Sequence, residues 1–151
     1  GILSPIVAEF YAQQRMQELQ NIFTFSVRVI FLFSLLIGAI LLIWGDLLLA
    51  LFGAEFITAF PILKILVVGQ LFNAMVGSTG VLINMTGNQS DAAKVLAISV
   101  VLNIVLNWVL IKVYGVNGAA IATAIMMSFT NGSFAILVWK RLKIVALPVT
   151  F

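Results

Sequence analysis

The sequence predicts an all-α integral membrane protein, an antiparallel bundle of transmembrane helices. Three observations predict it. Of 151 residues, 63% are hydrophobic and only 9% are charged, against roughly a quarter charged in soluble domains. The mean hydropathy is +1.21. Four segments stay apolar over the ~20 residues a helix needs to cross ~30 Å of hydrocarbon, and the links between them are short. Short links make sequential helices antiparallel neighbours.

The elements follow in order. Residues 1–21 read as the end of a preceding helix and a cytoplasmic linker. Ser4-Pro5 offers a cap and a first-turn proline, IVAEFY is apolar, and AQQRMQELQN is polar. This opening is not built as a signal peptide, and the start at Gly1 suggests a piece of a longer protein with helices upstream. Residues 22–45 form the first span and 46–60 an extracytoplasmic loop with room for an interfacial helical turn. Residues 61–86 form the second span, longer than one crossing requires and so tilted, bent or projecting. GNQSD at 87–91 is a tight cytoplasmic loop in which Asp91 caps the next helix. The third span covers 92–113, an extracytoplasmic turn covers 114–117, and the fourth span covers 118–139. Residues 140–151 are a cytoplasmic tail or the start of a further segment.

Charge placement sets the expected orientation. Arg15, Lys94, Lys140, Arg141 and Lys143 fall on one side, Lys64 and Lys112 on the other. The richer side is cytoplasmic by the positive-inside rule. Trp44, Tyr114 and Trp139 stand where interfacial aromatic belts occur.

Composition also excludes functions. Cysteine and histidine are both absent, which removes thiol nucleophiles, imidazole acid–base chemistry and Cys/His metal sites; no cofactor is implied. A net charge of +3 without a basic cluster offers no nucleic-acid surface. There is no Gly-rich phosphate loop ending in Gly-Lys-Ser/Thr. Glu9, Glu18, Asp46, Glu55 and Asp91 all lie at span ends or in loops, so no intramembrane carboxylate is at hand for a proton relay.

The chemistry therefore rests on polar residues inside the spans. Gln70, Asn73, Gly77, Gly80 and Asn84 step by three and four residues. On one straight helix they fall within an arc of roughly 80°. Such a face either lines a polar cavity or bonds across a tight helix interface. Ser99, Asn103 and Asn107 repeat the theme in the third span, where the same two readings stand. Ala120, Ala124 and Ser128 form a small-residue packing series. Arg28 lies about two turns inside the first span, in line with Gln20 and Thr24. It either faces a wet cavity open to the cytoplasm or lifts its guanidinium to the headgroups. Lys64 and Lys112 read as snorkelling residues.

The order SPIVAEFY…SVR, LFGAEFITAFPILKIL, GQLFN, GSTGVLINMTG, LNIVLN and YGVNGAAIATAI resembles the polysaccharide biosynthesis and export flippases, of O-antigen or lipid-linked-oligosaccharide type. These form a branch of the multidrug/oligosaccharidyl-lipid/polysaccharide (MOP) exporter superfamily. The resemblance runs over nearly the whole chain and matches the C-terminal portion of such proteins. It implies part of the second six-helix half of a MATE-like transporter, in a bacterial or archaeal cytoplasmic membrane. The implied activity is transport, not enzymatic catalysis. The implied substrate is a polyprenyl-pyrophosphate-linked oligosaccharide moved by alternating access, with the lipid bilayer and the missing N-terminal half as partners. The substrate-binding or cavity-lining candidates are Arg28, Gln70, Asn73, Asn84, Asn103 and Asn107. In the family, basic residues lining the cavity meet the anion, and Arg28 fits that role by its place in the span. A multidrug or cation antiporter of the same superfamily and a non-transporting structural bundle are the alternatives.

Overall fold

Hydropathy marks where a helix meets lipid, whereas helicity depends on backbone propensity, and the two boundaries need not coincide. The computed structural model describes residues 3–148. In it α1 spans Leu3–Ala12, α2 Met16–Ala50, a 3-10 helix Ala54–Ala59, α3 Phe60–Val76, α4 Thr79–Met85, α5 Gln89–Tyr114 and α6 Val116–Leu142. No strand occurs among the described residues. By length and composition α2, Ala54–Val76, α5 and α6 can each cross a membrane. The outermost parts of the expected 1–21 and 140–151 segments, residues 1, 2 and 149–151, lie outside the described residues.

α2 has 35 residues and is ~52 Å long at 1.5 Å per residue. It takes in residues 16–21, expected as linker, and 46–50, expected as loop. Met, Gln, Glu and Leu are all good helix formers, so a polar stretch need not end a helix. Arg15 flanks its start and pairs with Glu18 in the first turn. α1 begins at Leu3, which puts Ser4 and Pro5 already inside its first turn rather than at a cap.

The expected span 61–86 is two helices. α3 ends at Val76 and α4 begins at Thr79. Gly77 sits at φ 66°, ψ −159°, a region that side chains rarely enter. Only glycine also fits sterically, since an added Cβ would lie 2.4 Å from Val27 Cγ2. The arc drawn for a straight helix therefore fails beyond Gly77, and Asn84 belongs to a separate helix from Gln70 and Asn73.

Contacts fix direction and order. Rising along α2, Val27 meets Gly77, Gly38 meets Val67 and Leu71, and Gly45 meets Phe60 and Leu63; α2 and α3 are antiparallel. α3 then packs on α6, with Gly69 so close to Ala124 that an added Cβ would come within 2.8 Å of its Cβ. α5 and α6 are antiparallel, since Leu110 abuts Gly118, Ser99 bonds Thr130 and Asp91 bonds Arg141. The row runs α2–α3–α6–α5, so α6 separates two helices that are consecutive spans in sequence. Asp91 does not cap α5, where Asn88 holds the cap position. It accepts from Arg141 at 2.5 and 3.1 Å and from Lys94 at 3.3 Å, tying the start of α5 to the end of α6.

Two kinds of packing hold this arrangement. Large side chains are buried at the end where α1, the first half of α2, α4 and the last turns of α6 meet: Leu19, Phe23, Val27, Leu82, Ile83 and Val138. In the row itself the close approaches use Gly38, Gly45, Gly69 and Ala124. Lipid tails are as apolar as leucine, so burial among tails gains little and close backbone packing carries the association. The outward side chains, such as Phe25, Leu32, Val101, Ile104 and Trp108, stay exposed. Lys64 and Lys112 lie over the rings of Phe60 and Trp108, at 4.1 and 3.8 Å from the centroids. Each cation thus has an aromatic partner one turn away.

Candidate functional site

An amide surrounded by hydrocarbon is costly unless it bonds or faces a polar space, so the amides inside the spans locate the candidate site. Gln70 and Asn73 lie on the last two turns of α3. Beside them the chain breaks at Gly77, and across from them stand Ser34 of α2 and Asn131 of α6. These residues, with Ile30, Ser78, Gly80 and Phe134 among others, line a cleft of about 340 Å³. Asn73 Nδ2 donates to Gln70 Oε1 at 3.1 Å, and Asn131 Nδ2 donates to the Met127 carbonyl at 2.9 Å. Each asparagine amide spends one N–H on the protein and keeps a second N–H and its carbonyl oxygen.

At Ser34 and Gln70 this cleft adjoins a second of about 460 Å³, whose walls turn apolar at Ile37, Leu41, Leu66, Val67 and Leu71. A third cleft of about 390 Å³ lies between α5 and α6. Ser99, Asn103, Thr123, Thr130 and Asn131 face it. Thr130 Oγ1 donates to Ser99 Oγ at 2.9 Å, a hydrogen bond between helices. Asn107 Nδ2 donates to the Asn103 carbonyl and to Asn103 Oδ1 at 2.9 and 3.1 Å. Asn131 lines both polar clefts and joins the α3 amides to those of α5. No Lys, Arg, Asp or Glu lines any of the three. No group of three or more His, Cys, Asp or Glu that could hold a metal occurs among the described residues.

Of the six residues singled out in the sequence, Gln70, Asn73 and Asn103 line the polar clefts, and Asn107 bonds to Asn103 one turn on. Asn84 is exposed on α4, outside the lining of these clefts, and its main-chain carbonyl accepts from Gln89 Nε2 at 3.1 Å. Arg28 lies outside these linings too. Its Nε donates to the Pro148 carbonyl at 2.8 Å. Sequence reasoning missed Ser34 and Asn131. Asn131 was findable, since it is an amide within the fourth span like those noticed in the second and third, but the Ala120–Ala124–Ser128 series drew the attention there.

The partner of Arg28 is the end of the described chain. Lys143 adopts φ 58° after α6 and turns the chain back. Val145 N–H donates to Gln20 Oε1 at 2.8 Å, and Gln20 Nε2 donates to the Val145 carbonyl at 3.1 Å. Ile144 and Ala146 are buried against the core. Tail numbers rise with those of α2, so residues 143–148 run parallel to it from Gln20 to Arg28. Gln20→Leu leaves a half-buried peptide group without its partner, a cost of ~1–3 kcal/mol. Amide exchange across residues 144–147 is expected to quicken about tenfold or more. Unchanged exchange, read by mass spectrometry, would show that the clasp does not hold the tail.

The MatE family model matches residues 3–109. The chain is 30% identical over 122 residues to the "Probable low-salt glycan biosynthesis flippase Agl15" of Haloferax volcanii. That stretch is 80% of this chain and 26% of the relative, so the chain spans about a quarter of the length of the curated protein it matches. No solved structure matches.

Proposed function

The chain belongs to the MatE family, and from that premise we propose that it forms part of the second helical half of a membrane flippase. Its cargo is a lipid-linked oligosaccharide carried on a polyprenyl pyrophosphate. The full-length protein moves it across the cytoplasmic membrane of a bacterium or archaeon by alternating access. One observation carries this reading: a neutral polar cleft, lined by Ser34, Gln70, Asn73 and Asn131, inside a bundle whose outer side chains are apolar. A sugar head drawn through hydrocarbon would lose water from many hydroxyls, at a few kcal/mol or more for each group left unbonded. A polar wall replaces that water while the lipid tail stays in the bilayer. The similarity to a glycan biosynthesis flippase supports the same cargo class.

The helix ends support the expected orientation. The antiparallel row gathers the start of α2, the end of α4, the start of α5 and the end of α6 at one end of the bundle. Arg15, Lys94, Lys140, Arg141 and Lys143 all lie there, which the positive-inside rule assigns to the cytoplasm.

The test is reconstitution of the full-length protein in vesicles with a fluorescent lipid-linked oligosaccharide, following its exposure on the opposite leaflet. Wild type is expected to accelerate exposure. The double substitution Asn73→Leu, Asn131→Leu removes two amides whose hydrogen bonds are worth ~0.5–1.5 kcal/mol each, so the rate should fall about tenfold. Protein-independent exposure of every glycan lipid tried would sink the reading.

A further inference from the structure

We propose that the cleft between α2, α3 and α6 recognises the uncharged hydroxyls of the saccharide, and that the pyrophosphate of the same substrate is met elsewhere. This rests on the flippase reading and specifies which part of the substrate the cleft takes.

The argument is one of donors, acceptors and charge. After their internal bonds, Asn73 and Asn131 each present one N–H and one carbonyl oxygen. Gln70 keeps its amide N–H groups, because only its oxygen is used by Asn73. Ser34 and Ser78 add hydroxyls to the lining. The set mixes donors and acceptors at short intervals. A sugar hydroxyl both donates and accepts and can satisfy such a set. Ionised pyrophosphate only accepts, so the two asparagine oxygens would face it unpaired.

Charge points the same way. A pyrophosphate carries more than one negative charge, and held against protein it needs a cation beside it to offset its lost hydration. No cation lines this cleft or the two beside it. Elsewhere in the chain Arg28 bonds the Pro148 carbonyl, Arg141 and Lys94 pair with Asp91, and Lys64 lies over the ring of Phe60. The cleft's volume of about 340 Å³ falls at the lower end of small-molecule sites, roughly 300–1,000 Å³. One or two sugar rings fit that scale.

The experiment reads binding without transport. The chain holds no cysteine, so Ile30→Cys places a reporter thiol on the apolar edge of the cleft. It is made in the full-length protein with any other cysteines replaced. Maleimide labelling is timed in detergent with a soluble neutral hexose oligosaccharide mixture or with inorganic pyrophosphate. The saccharide is expected to slow labelling at least threefold and pyrophosphate to leave it unchanged. Adding Asn131→Leu should abolish the protection while leaving the unliganded labelling rate as it was, which a collapsed fold would not do. Protection by pyrophosphate, or by neither probe, overturns the inference. Failure of wild type to move any glycan lipid in vesicles would instead defeat the flippase reading, leaving the labelling result to stand by itself.

Discussion

Gly118→Val is expected to open the α5–α6 hairpin and to destabilise the protein by ~3 kcal/mol or more. α5 ends at Tyr114 and α6 begins at Val116, so a single residue, Gly115 at φ 59°, joins two long helices. Such a short link presses the first turn of α6 onto the last turns of α5. A Cβ on Gly118 would lie 2.0 Å from the Leu110 carbonyl oxygen and 2.8 Å from the Ile111 nitrogen. These are backbone atoms, which cannot rotate aside as a side chain can. The hairpin must separate to admit valine, and the bond between Thr130 and Ser99 and the ion pair between Asp91 and Arg141 lie on the surfaces that would move. The melting temperature of the full-length protein, read by size-exclusion thermostability, should fall. An unchanged melting temperature would mean that the helices do not approach as closely as these distances state.

Gly77→Ala is expected to cost ~1–3 kcal/mol through the backbone alone, because φ 66° with ψ −159° is a region for glycine. The new methyl also meets Val27 Cγ2 at 2.4 Å. The two contributions can be separated. Val27→Ala removes the obstructing atom but not the backbone strain, so Gly77→Ala in that background should be milder by the steric part only. A double-substitution cycle on melting temperature gives the coupling. A cycle with no coupling would remove Val27 from the account, and a neutral single substitution would remove the strain. Transport should suffer as well. The break at Gly77 and Ser78 forms part of the cleft wall, and a straightened helix would carry Asn84 around to the face of Asn73, about three turns further on.

That face shows where sequence reasoning reached and where it stopped. Spacing placed Gln70 and Asn73 on one face, and they share both a hydrogen bond and a cleft. The same periodicity carried on to Asn84 failed, because a periodicity argument assumes one continuous helix. Gly77-Ser78-Thr79-Gly80 was a warning written in poor helix formers, but the break itself is Gly77 at φ 66° and ψ −159°, with Val27 packed against it from a helix 50 residues earlier in the chain. Arg28 is a similar case. Its depth in the first span made it conspicuous, while its link to the Pro148 carbonyl depends on the tail folding back along α2.

The sequence by itself determined that this is a membrane-embedded helical bundle with four apolar stretches long enough to cross, and which polar residues sit among them. Those properties follow from the solvent, because hydrocarbon admits only apolar side chains and internally bonded backbone over a length fixed by the bilayer. Only the tertiary structure decided that α6 stands between α3 and α5, that the second span is broken, and that Asn131 joins the α3 amides to those of α5. Lipid offers no hydrophobic preference among apolar faces, so helix order is set by where small residues allow backbones to meet. Those meetings, Gly69 on Ala124 and Gly118 on Leu110, pair residues far apart or across a tight turn: the Ala120–Ala124–Ser128 series marks Ala124 as a packing position, but nothing local names its partner.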